Sequence, residues 1–213
     1  MADMKRLAFY GNAYGDVAFL LGSLFAASNE TVLIRDLGPR PVAYCIDRSD
    51  SIDPASDIIS FRNMSYTQDK DLELENTSIE FVLYGMDVPA ENEKFDASIC
   101  IVRETNEDLE PLKDNEYPKT EVNCFIVRDS SGAMNKFFTK TAKEKGFTDI
   151  RFFKPDSKEN AVRLSLEFTK RVQPGKEGKN MSQLLSDIFM HFKPSLTPKD
   201  YNRVLSRAEK GGR

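Results

Sequence analysis

Three runs, EFVLYG at 80–85, ASICIV at 97–102 and VNCFIV at 122–127, are apolar without alternation, so each must bury both of its faces. Such a strand belongs inside a parallel sheet with helices above and below it. Further short β-rich runs at 7–10, 31–36, 42–46 and 150–153 are interleaved with helical patterns, which argues for βαβ units. The expected fold is α/β: a doubly wound, mostly parallel sheet with helices on both faces.

Helices are predicted at 16–27, 132–145, 157–171 and 181–192. The first, DVAFLLGSLFAA, is apolar nearly all round and is expected to be buried on most of its surface. The second puts Met134, Phe137, Phe138 and Ala142 on one face and stops at Gly146. The third carries Ala161, Leu164, Leu166 and Phe168. VQPGKEGKN at 172–180 reads as a surface loop, and 47–77 as polar, irregular chain. The reading is one α/β domain over 1–192 and a short basic helical tail over 193–213. In the tail Thr197 caps a last helix and Pro198 takes its first position.

A net charge of −4 provides no overall basic field, so nucleic acid is not an expected partner. Cys45, Cys100 and Cys124 are widely spaced beside apolar runs and read as buried thiols of a reducing compartment. His191 is the only histidine, which excludes zinc sites built on several histidines and gives the serines no nearby base. The acidic stretches DKDLELE (69–75) and RETNEDLEP (103–111) read as solvated faces, and neither a catalytic residue nor a metal ligand is assigned. No apolar run is long enough to span a membrane, and MADMKRLAFYG lacks the apolar core of a signal peptide; the expected location is the cytoplasm.

The opening stretch LAFYGNAYGDVAFLLG (7–22) lays out a strand, a glycine loop and a helix in that order. A phosphate loop uses this layout to turn backbone N–H groups toward an anion, with a Lys for charge and a Ser or Thr for magnesium. Here Asp16 and Val17 stand at those two places. Two glycines after a strand also form an ordinary tight turn.

Four further segments make the loop part of a pattern. TVLIRDLGPR (31–40) resembles the second strand of the ParA/MinD family of P-loop ATPases, with Asp36, Leu37, Gly38, Pro39 and Arg40 in frame. IEFVLYGMDVP (79–89) resembles that family's Walker B strand, with Gly85 in place of the acid and Asp87 two residues late. VNCFIVRD occupies the place of its base-recognition strand and ends in Arg128 and Asp129 instead of Asn. GFTDIRFFKPDSKENAVRLS is similar to its final strand and turn, with Pro155 and Asp156 kept. The resemblance spans residues 4–192 and implies a P-loop NTPase-like fold of the SIMIBI type. It maps the phosphate loop onto Gly11, Asn12, Ala13, Tyr14, Gly15, Asp16 and Val17, where only Gly15 matches outright.

The resemblance implies a pseudo-ATPase, since phosphate lysine, magnesium hydroxyl and both acids are missing together. With no cation between them, Asp16 and a phosphate about 4 Å apart would repel by about 4 kcal/mol at an effective dielectric of 20. Within that family the chain resembles TadZ/CpaE-type proteins, which implies a non-catalytic scaffold or localisation factor of a bacterial secretion, pilus or other membrane-associated assembly. That reading carries no cofactor, protein partners, a homodimer as one arrangement, and a cytoplasmic location that can extend to the inner face of the membrane. Two alternatives stand beside it. The opening stretch also looks like that of a flavodoxin, which implies FMN, a second flavin loop at VLYGMDVP and a stacking ring from Tyr14 or Tyr84. The third reading is a protein that binds ATP without hydrolysing it, through the amides of 11–15 and Arg40. In the tail, Tyr201, Val204, Leu205 and Ala208 form a narrow apolar stripe over 196–210. It could dock on the domain, on a partner or, peripherally, on membrane.

Overall fold

β1 (Lys5–Gly11), β5 (Ile79–Gly85), β6 (Ala97–Arg103) and β7 (Val122–Arg128) form the centre of an eight-stranded sheet, and their inner residues are buried on both faces. The computed structural model describes residues 4–39, 58–61, 64–87, 93–169 and 174–211. β2 (Val32–Asp36), β3 (Ile58–Phe61), β4 (Met64–Thr67) and β8 (Asp149–Phe152) complete the order β3-β4-β2-β5-β1-β6-β7-β8. Every neighbouring pair is parallel except β3 with β4. The run at 42–46 lies outside the described residues.

The β3–β4 pair corrects the reading of 47–77 as irregular. Both strands are four residues long, and in MSYT only Met64 and Tyr66 carry the apolar burial, so the signal is too short to stand out.

Two layers cover the sheet. On one face Leu7, Phe9, Ile34, Phe81, Ile99 and Ile126 meet α1 (Gly15–Ala27), α4 (Ser157–Thr169), α5 (Lys179–Phe192) and α6 (Pro198–Gly211). On the other, Ala8, Tyr10, Cys100, Val102, Phe125 and Val127 meet α2 (Asn106–Asp114) and α3 (Asn135–Glu144). α1 is enclosed because neighbours surround it: Phe19, Leu20, Leu21, Leu24 and Phe25 are all buried. Each such side chain contributes about 1.5–3 kcal/mol of burial.

Two helix faces differ from expectation. Phe137 on α3 points to solvent while Phe138 and Ala142 go inward. On α4 the core contacts are Val162 and Leu166, one turn apart, and Leu164 and Phe168 are exposed. α6 lies along α1 with Val204 and Ala208 buried and the Tyr201 ring 5.7 Å from that of Phe189. Its stripe is therefore part of the main core. Among the described residues no helix is long and apolar enough to cross a membrane.

Candidate functional site

The chain leaves β1 through α1 toward β2 on one side, and leaves β6 through α2 toward β7 on the other. Where successive connections diverge, a crevice opens beyond the carboxyl ends of the strands. A cavity of about 230 Å³ lies there, lined by Asn12, Ala13, Gly15, Asp16, Arg103, Arg128, Arg163, Leu166 and Glu167.

The glycine loop forms its floor. Gly11 has φ +93°, and a Cβ on it would sit 2.0 Å from the Ile101 carbonyl oxygen, so the turn out of β1 demands glycine. The Ala13 N–H donates to that same oxygen at 3.2 Å. Asn12 Nδ2 donates to Asp108 Oδ1 at 2.5 Å, and Asp108 Oδ2 accepts from the Arg103 N–H at 2.6 Å, tying the loop to the β6–α2 turn. Asp108 corrects the reading of 103–111 as a solvated face: it is buried, and its N–H donates to the Thr105 hydroxyl that caps α2.

α1 begins without a side-chain cap on Tyr14. Its N-terminus therefore offers partial positive charge, which a phosphate could use. The chain fills that place itself. Arg128, at the end of β7, donates to Asp16 Oδ1 at 2.7 Å, Asp16 Oδ2 at 2.9 Å and the Ala13 carbonyl at 3.1 Å. Asp16 does have a cation beside it, then, correcting the expectation of an unshielded carboxylate; both side chains are buried. Burial is the largest single influence and lowers the Arg128 pKa, but Asp16, Glu159 and Asp129 together outweigh it and the net shift is upward.

Glu159, in the first turn of α4, touches the other side of Arg128 at 3.5 Å. Its second carboxyl oxygen is buried without a hydrogen-bond partner among the described residues. Burial raises its pKa, Arg128 pulls against that, and Asp156, Asp16 and Asp129 add to the rise.

On the opposite side of the loop, toward β2 and β5, the ends of the strands close on one another. Tyr14 is buried, and a Cβ built on Gly38 would lie 2.9 Å from its hydroxyl oxygen. Gly85 pairs with Tyr10 across β1–β5, and a Cβ on it would lie 2.9 Å from Pro39 Cδ. Gly85 stands at the Walker B acid position implied by the resemblance; a side chain there would meet a φ of +68° and displace Pro39, and one on Gly38 would displace the Tyr14 hydroxyl. Asp36 is buried, accepting from the Tyr66 hydroxyl at 2.9 Å. Val17 is wholly buried in the core.

Of the seven loop residues, the structure brings Asn12, Ala13, Gly15 and Asp16 to the cavity. Gly11, Tyr14 and Val17 serve packing. Arg40 lies outside the described residues, as does Cys45. Tyr84 is buried between Tyr10 and Phe95, so neither it nor Tyr14 presents a face for flavin stacking. Cys100 and Cys124 are buried free thiols, the latter pushed up to about 12 by burial and the neighbouring Asp149. Among the described residues no cluster of His, Cys, Asp and Glu could hold a metal ion. No family model matches the chain, and no curated protein matches it significantly.

Proposed function

We propose that the chain is a non-catalytic scaffold or localisation factor with a ParA/MinD-like, P-loop-type framework, acting through protein contacts in a membrane-associated assembly. The observation that carries this reading is Arg128 seated on Asp16 and the Ala13 carbonyl at the start of α1. A carboxylate fixed in the first turn of α1 supplies the negative charge that a bound phosphate would bring to this helix end. Catalysis of phosphoryl transfer rests on lysine, a metal ligand and preorganised charge, and in this loop Asp16 and Val17 stand at the lysine and metal-hydroxyl places.

The strand order gives further support. β5 lies directly beside β1, where a Walker B acid would have to be to reach a magnesium at the loop. The frame suits the chemistry, and Gly85 at its end leaves the chemistry out. A phosphate-release assay with ATP and magnesium is expected to give the rate of the buffer alone. Turnover that disappears in an Asp16→Ala variant would overturn the proposal.

A further inference from the structure

Resting on the scaffold reading, we infer that the cavity rim and the outer face of α4 form one docking surface for an acidic segment of a partner protein that carries apolar side chains. Three observations meet here. Arg103 and Arg128 are register partners on adjacent strands, and like charges placed opposite one another are unfavourable unless each is answered. Asp16 answers Arg128, whereas among the described residues no carboxylate comes within ion-pair reach of Arg103. Among the described residues the Arg163 guanidinium donates to the Asn160 side chain at 3.2 Å and reaches no carboxylate. Asp16 and Glu159 both answer Arg128, so of the three arginines lining the cavity it is Arg103 and Arg163 whose guanidiniums have no carboxylate within ion-pair reach among the described residues.

The second part of the surface is apolar. Leu164 and Phe168 are 47% and 74% exposed, and they sit one turn apart on α4. At 100° per residue, Arg163 and Glu167 lie between these two side chains and the buried Val162–Leu166 edge. The surface thus runs without interruption from the cavity, across Arg163, to the Leu164–Phe168 ridge. A carboxylate at Arg103 and Arg163 with an apolar side chain on Phe168 matches it in charge and hydropathy. Exposed aromatics and arginines are also the residue types that anchor interfaces.

The test is a display selection of random 16-residue peptides on the immobilised full chain, followed by affinity measurements on the enriched peptides. Enriched sequences should combine Asp or Glu with Leu, Ile, Phe or Met. Their binding should weaken about tenfold or more in Arg103→Glu, Arg163→Glu and Phe168→Glu, and fall with added salt. Phe137→Glu, at another exposed ring (62%) on the opposite layer, should bind as the native chain does, and circular dichroism checks that every variant is folded. Selection of basic peptides, no enrichment, or binding indifferent to the three substitutions would overturn the docking surface. Such a failure alongside absent ATP turnover would leave the scaffold reading standing. Turnover together with a successful selection would overturn only that reading.

Discussion

Asp16 and Arg128 are 112 residues apart, and their pairing decides how the loop is read. The sequence marks each as the wrong residue for an ATPase, but which cation answers which carboxylate depends on β7 ending beside α1. Removing one partner of a buried pair leaves an uncompensated charge, at a cost of about 3–5 kcal/mol. Asp16→Lys, which puts a lysine where the resemblance would have one, sets two cations together; it is expected to lose about that much stability in urea denaturation without gaining ATP turnover. Gly11→Ala forces a side chain into the Ile101 carbonyl at an unfavourable φ and should destabilise by about 3 kcal/mol or more in the same measurement. Glu159 gives a pH signature. Its folded pKa is raised, so its contribution to stability is fully present below the ordinary glutamate range and is lost as pH rises through the folded value. Glu159→Gln should therefore gain stability relative to the native chain as pH rises from the ordinary glutamate range through the raised folded value. A constant difference over that range would contradict the assignment.

The elements were legible to different degrees for physical reasons. Central strands announce themselves because both faces are buried, so 79–83, 97–102 and 122–127 needed no partner to be recognised. The edge pair β3–β4 is short and half polar, and only pairing with β2 makes it visible. On α4, apolar content alone suggested a core face, whereas the Val162–Leu166 spacing chose the true one and left Leu164 and Phe168 outside. Tyr14, Gly38, Pro39 and Gly85 meet only because β2 and β5 end together, so the closure of that side of the loop was not readable. For the tail, the buried Val204 makes α6 a structural element. Val204→Asp is expected to cost about 3 kcal/mol, lowering the melting temperature by about 6–12 °C in a thermal scan. An unchanged melting temperature would mean that the stripe is free for another surface.

Across the whole molecule, a mostly parallel α/β sheet carries at its switch point a glycine loop whose flanks are closed by the protein's own side chains. Arg128 and Asp16 close one side of the loop, and Tyr14 and Pro39 close the other. Nucleotide should then be unable to change the assembly state, and light scattering should give the same mass with and without magnesium and ATP. The most direct measurement is calorimetric titration of the purified full chain with ATP in the presence and absence of magnesium. The account predicts no saturable heat under either condition. Saturable binding that strengthens when magnesium is added would contradict it.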